Sequence, residues 1–182
     1  VIVSEYQLIE NPTRVFFVRS GEQHCCPCCG GALKVVGSRR RGYIGDTGER
    51  VILVIRRLRC ELCKRIHHEL PDILVPYKRH CSQSIEQVIA GEKGLSVVAD
   101  ESTINRWKKW FRALAGYFLG CLISIAARFT KGAVEERSEL PGSSLQRIWA
   151  HVGDGSGWLA RIVRPVANAN YWVQTRSAFL SG

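Results

Sequence analysis

An α+β chain, β-rich at its N-terminal end and all-α beyond, is predicted by three features of the 182-residue sequence. Two cysteine groups, Cys25-Cys26-Pro27-Cys28-Cys29-Gly30 and Cys60-Glu61-Leu62-Cys63, stand a hairpin's length apart. Between them run β-branched residues broken by Gly-rich turns. After Pro76 the apolar period lengthens from that of a strand to that of a helix.

The composition narrows the class. A hydrophobic fraction of 46% and five Trp exclude a disordered polycation, and a chain of this length buries a core without disulfides. The net charge is +10, of which +6 lies in residues 1–80. There the basic side chains cluster as Arg39-Arg40-Arg41, Arg56-Arg57, Arg59, Lys64-Arg65 and Lys78-Arg79. Such clusters suit a polyanion, because each neutralised phosphate releases counterions; a solvated face is the plainer reading. The opening Val1-Ile2-Val3-Ser4-Glu5 is no basic n-region before an apolar h-region, so the expected location is the cytoplasm.

The cysteine spacing is more specific. Zn²⁺ takes four soft or borderline ligands in a tetrahedron, and Cys-x₂-Cys supplies two thiolates from one tight turn. The spacing in the first group fits Cys25/Cys28 as well as Cys26/Cys29. The second pair is preferred, since Pro27 then stiffens the turn and Gly30 follows the second ligand, where a left-handed backbone is wanted. Cys26, Cys29, Cys60 and Cys63 would hold one structural Zn²⁺ in a zinc ribbon. Cys25 and Cys28 are then buried small hydrophobes or alternates, and His24, His67 and His68 are further candidate ligands. A disulfide framework is disfavoured by the knuckle spacing and by the unclustered Cys81 and Cys121. A catalytic zinc would need an open position and a neighbouring base, and no such pattern is visible.

The elements follow in order over three expected regions, 1–76, 77–130 and 131–182. Residues 6–9 and 15–18 flank Asn11-Pro12-Thr13 as a hairpin that could pack on the ribbon. Residues 32–36 and 39–44 read as two strands separated at Gly37-Ser38. Gly45-Asp46-Thr47-Gly48 reads as a turn and residues 51–59 as a strong strand. Its Val51, Leu53 and Ile55 share one face. Residues 66–70 return as a last strand before Pro71.

Residues 84–90 form a short helix, capped by Ser82 or Ser84 and ended by Gly91 or Gly94; residues 95–99 are a second short element. A third helix starts near Asp100 and carries Ile104, Trp107, Phe111 and Leu114 on one side. Thr103, Asn105, Arg106, Lys109 and Arg112 fall on the other, with Lys108 suited to phosphate. Two short helices and a longer one with this polar start match a helix-turn-helix, whose third element reads the major groove; an ordinary amphipathic helix is the alternative. The uncharged run from Ala113 to Ala127 is too short for a membrane span and reads as a buried helix or a homodimer contact, with Gly116 and Gly120 allowing close approach. Residues 131–144 read as a linker, 145–152 as a helix, and 158–163 and 167–179 as short helices of a tail. Gly153-Asp154-Gly155-Ser156-Gly157 is a turn, since no Gly-Lys-Ser/Thr follows.

Cys26-Pro27-x-Cys29-Gly30, Gly37-x-Arg39-x-Arg41, Arg56-Arg57-x-Arg59-Cys60-x-x-Cys63-x-Arg65 and Pro71 resemble the zinc ribbons at the front of insertion-sequence transposases. Residues 85–112 resemble their helix-turn-helix, so the likeness covers about half the chain. It places the chain with the ribbon-plus-helix proteins of bacterial mobile elements. It implies recognition of double-stranded DNA, nucleoid association when bound, a ribbon gripping the backbone and helices reading bases. The expected contacts are Arg39, Arg40, Arg41, Arg56, Arg57, Arg59, Lys78, Arg79, Thr103, Asn105, Arg106, Lys108, Lys109 and Arg112. Transposases hold two metal ions on three carboxylates of an RNase H-like domain. The 70 residues after Arg112 offer only Glu135, Glu136, Glu139 and Asp154, three of them bunched, so no strand transfer and no enzyme is expected. An RNA-binding or protein-docking ribbon is the competing class, and a redox role for Cys25/Cys28 is a third.

Overall fold

The computed structural model of the chain describes residues 1–91, 97–129, 142–173 and 175. Strand β1 (Ile2–Val3) precedes a hairpin of β2 (Tyr6–Glu10) and β3 (Val15–Ser20). Its turn forms because Asn11 Oδ1 accepts the amides of Thr13 and Val15 at 3.1 and 2.9 Å. Strands β4 (Leu33–Ile44) and β5 (Arg50–Cys60) make a long antiparallel hairpin between the two cysteine groups. Strands β6 (Ile66–His68) and β7 (Leu70–Pro71) follow.

One strand stands where two were expected between residues 32 and 44. The interruption is a β-bulge: the register shifts between Val35 and Gly37, and Gly37 takes a φ of 147° that only its missing side chain makes easy. Strand β5 is the hub of the sheet, in order β2-β3-β5-β4. On one edge β4 pairs with it antiparallel along its length. On the other, β3 runs parallel against Ile52, Leu53 and Val54, and β6 antiparallel against Arg57, Leu58 and Arg59. The expected alternation holds, with Leu53 and Ile55 buried against Val18 and Leu74, and Val51 at the margin of that cluster. The N-terminal hairpin thus extends the β4–β5 sheet, while β1 pairs in parallel with β7 apart from it.

Among the described residues four α-helices follow: α1 (Ser82–Ala90), α2 (Glu101–Phe129), α3 (Ser144–Val152) and α4 (Trp158–Asn168). Neither Ser82 nor Ser84 caps α1. Cys81 holds the N-cap position, Ser84 is buried with its hydroxyl 3.1 Å from Cys81 Sγ, and Gly91 ends the helix at a φ of 72°. The Asp100 carboxylate accepts from Thr103 N at 2.7 Å and so opens α2. Of the element expected at 95–99, residues 95 and 96 lie outside the described residues, and residues 97–100 are not helical.

The expected third helix and the uncharged run after it are one helix of 29 residues, since nothing at Arg112-Ala113 breaks it. Its apolar side, Trp107, Trp110, Phe111, Leu114, Ala115, Phe118, Leu119 and Leu122, is buried within the chain's own core. Gly116 and Gly120 lie on the exposed side. By length and composition α2 could cross a membrane, yet its apolar side is occupied by the other helices.

The described part of the C-terminal region, residues 142–173, packs into the core where a tail was expected. Residues 131–141, most of the expected linker, lie outside the described residues. Helices α3 and α4 place Ile148, Trp158, Leu159, Ile162, Val163 and Val166 in the core that α2 requires, together with Ile2 and Val75 from the N-terminal half. Helix α4 continues through Pro165 across the expected break at 163–167; of the expected 167–179 helix, residues 167 and 168 end α4, 169 and 170 form a turn, 171–173 and 175 are 3₁₀, and 174 and 176–179 lie outside the described residues. Two contacts over long sequence distance fix the arrangement. Asn168 accepts from Ile2 N at 2.7 Å and donates to Ile2 O at 2.9 Å. The Glu86 carboxylate on α1 accepts from Gly157 N and Leu159 N at 2.7 and 3.0 Å, capping α4.

Candidate metal centre and basic face

Each knuckle is a turn held by backbone bonds. In the first, Gly30 N donates to Cys26 O and Cys26 N to Gly31 O, both at 2.8 Å, and Gly30 has the left-handed φ of 73° that its place after the second ligand calls for. In the second, Cys60 N donates to Arg65 O at 2.9 Å and Lys64 takes a φ of 62°. Glu61 N donates to Ala32 O at 3.0 Å, which ties one knuckle to the other across the β4–β5 ladder.

This brings Cys26, Cys29, Cys60 and Cys63 together with all four sulfurs within 4.8 Å of one another. Cys29 Sγ lies 3.5 Å from Cys60 Sγ, and Cys26 Sγ 3.6 Å from Cys63 Sγ. A tetrahedral ion with metal–sulfur bonds of about 2.3 Å needs sulfurs roughly 3.8 Å apart, so the set fits a soft divalent metal. Burial pushes the Cys26 thiol up to about 12. Burial acts the same way on Cys60, but the Cys63 and Leu62 amides and the neighbouring sulfurs outweigh it and bring that thiol down to about 6. Thiolates this close repel one another, and a cation placed among the four sulfurs would offset that repulsion.

Two of the other sequence candidates also come near. His67 Nε2 is 3.2 Å from Cys26 Sγ, and Cys28 belongs with Cys26 and His67 to a second group whose ligand atoms lie within 4.8 Å. Cys25 is exposed. His24 stands 3.2 Å from the Glu22 carboxylate, away from the sulfurs.

Pleating divides the basic residues. Arg39 and Arg41 lie opposite Ile55 and Leu53 and share their face, whereas Arg40, opposite Val54, is on the other. Arg57 lies opposite His68 on the face of Arg39. His68 is half-buried, and burial together with Arg39 and Arg57 lowers its pKa. Arg39, Arg41, Arg65, His67 and His68 line one cleft of about 630 Å³ between the sheet and the helical region. Arg39, Arg40, Arg57, Arg59 and Arg79 make no ion pair among the described residues, and Arg41 donates to Lys78 O at 2.7 Å.

Two expected contacts are committed elsewhere. Arg56 grips the Glu69 carboxylate through Nε and an Nη, both at 2.6 Å, and donates to Ser20 O at 2.9 Å; Glu69 is 1% exposed. Lys78 is buried with its Nζ 4.2 Å from the Trp110 ring, and burial lowers it to about 8. Sequence clustering could not separate these from their surface neighbours, because their partners are fixed only by the sheet and by α2. On α2, Asn105, Lys108, Lys109 and Arg112 are exposed. Thr103 is bonded to Asp100, and Arg106 donates to Thr103 Oγ1 at 2.8 Å.

A family described as a domain of unknown function (DUF6431) matches residues 26–107. The match takes in both cysteine turns, the β4–β5 hairpin, α1 and the first turns of α2, and stops before the rest of the helical core. No curated protein and no solved structure matches the chain.

Proposed function

We propose that the chain is a zinc-dependent DNA-binding protein related to transposases, a binder without a catalytic domain of its own. The observation that carries this reading is the grouping of Arg39, Arg41 and Arg57 on one sheet face beside four metal-spaced cysteines, without an acidic partner among the described residues. Uncompensated guanidiniums on a rigid strand suit phosphate oxygens, which accept a planar pair of N–H donors. Zinc, held by Cys26, Cys29, Cys60 and Cys63, would fix the strand ends that present them. In this reading α1 and the first turns of α2 form the helix-turn-helix, with Asn105 and Arg112 offered to bases and Lys108 and Lys109 to phosphates.

Titrating the zinc-loaded protein into labelled duplex DNA at several salt concentrations tests the proposal. Affinity should fall with salt, and Arg39→Ala and Arg57→Ala should each flatten the log–log slope by about 0.9. Binding indifferent to salt and to both substitutions would refute it. An RNA competitor displacing the duplex better than unlabelled DNA does would replace DNA by RNA as the ligand.

A further inference from the structure

We propose that the ribbon holds a second divalent metal ion, bound by Cys26, Cys28 and His67 and bridged to the first through the Cys26 thiolate. The inference rests on the four-cysteine site being a metal site. The three ligand atoms lie within 4.8 Å of one another and come from two segments, the first knuckle and β6, which the β5–β6 pairing brings together. Cys26 Sγ and His67 Nε2 are 3.2 Å apart, close to the roughly 3.5 Å between sulfur and nitrogen around a tetrahedral ion.

Cys28 has no part in a four-cysteine site, since it is the spacer residue before the second ligand. Nevertheless its sulfur turns inward, where Cys25 beside the same knuckle stays exposed. Arg65 donates to Cys28 Sγ at 3.4 Å, and the thiol reaches Asn170 Oδ1 at 3.7 Å, an amide that can turn its N–H₂ toward a thiolate. Charge favours a second ion as well. Four thiolates around one divalent cation leave two uncompensated negative charges, and a second cation with one further thiolate and a neutral imidazole leaves one.

Three protein ligands leave a fourth position, as at metal sites that accept an exogenous ligand. Cys28 and His67 both line the cleft that holds Arg39, Arg41 and Arg65, so this position opens among cations and suits an anionic oxygen donor. The zinc content of the full chain, purified with zinc and freed of excess by gel filtration, tests the proposal. Wild type should carry two equivalents. His67→Ala and Cys28→Ser should each carry one, with the cobalt-substituted form keeping the charge-transfer bands of a four-thiolate site, and Cys25→Ser should still carry two. One equivalent in wild type, or two in His67→Ala and Cys28→Ser alike, would overturn the second site and leave the first standing. No bound zinc in wild type would overturn the four-cysteine site itself, and the second with it.

Discussion

Replacing Cys60 by Ser, or stripping the metal with a chelator, should unfold the knuckles and spare the helices. Across residues 25–33 and 60–66, only Cys26, Gly31 and Cys60 are buried. These turns therefore have almost no apolar surface to hold them, and with a metal on the four sulfurs their order should depend on it. Structural zinc in small motifs contributes about 10–16 kcal/mol at neutral pH, as much as the whole stability of an ordinary domain. The helical core has apolar burial of its own: Phe118, Ile148, Leu159, Ile162 and Val166 are fully buried among themselves and their neighbours. Hydrogen exchange on zinc-loaded and chelated protein reads the difference. The amides of Gly30, Cys60 and Glu61, which bond to Cys26 O, Arg65 O and Ala32 O, should lose protection by at least about 100-fold, or about 2.7 kcal/mol. Amides in α4 should change by less than about threefold. Knuckle amides that stay protected without metal, or helices that lose protection along with them, would refute the separation.

Other outcomes follow from single contacts. Glu86→Ala removes the cap of α4 and leaves the Gly157 and Leu159 amides without their acceptor, which should cost about 2–4 kcal/mol in urea unfolding, with Glu86→Gln recovering part of it. Arg56→Ala leaves the Glu69 carboxylate buried and unpaired and should cost about 3–5 kcal/mol, whereas Arg59→Ala, at an exposed position, should stay within about 0.5 kcal/mol. Burial opposes ionisation of Glu22, but the Glu5 and Ser4 amides and Arg164 outweigh it and hold the carboxyl near 2. A depressed carboxyl stabilises the fold above its unfolded pKa. This contribution should therefore be complete above about pH 4.5, fade as pH falls toward 2, and vanish from the urea midpoint–pH curve of Glu22→Gln.

The two cysteine turns and the strand before the second were legible because their determinants are local. The Cys26/Cys29 and Cys60/Cys63 spacings, Gly30 after its knuckle and the alternation of Val51, Leu53 and Ile55 each act within a few residues, and the structure reproduces them. The bulge at Gly37 escaped notice because a glycine in a strand pattern signals a break and a bulge equally well. The role of the basic residues was only half legible. Charge clustering marks the whole group, but pleating sends Arg39 and Arg40 to opposite faces, and Glu69 claims Arg56.

By itself, then, the sequence determined the α+β order of elements, the four metal-spaced cysteines and the concentration of positive charge at one end. Those properties depend on residue type and near spacing. Only the tertiary structure decided that the C-terminal helices are core, that Glu86 caps a helix 71 positions away, and that Cys28 and His67 face the same space. Such pairings depend on which surfaces remain unburied once the local elements have formed, and no periodicity along the chain records that.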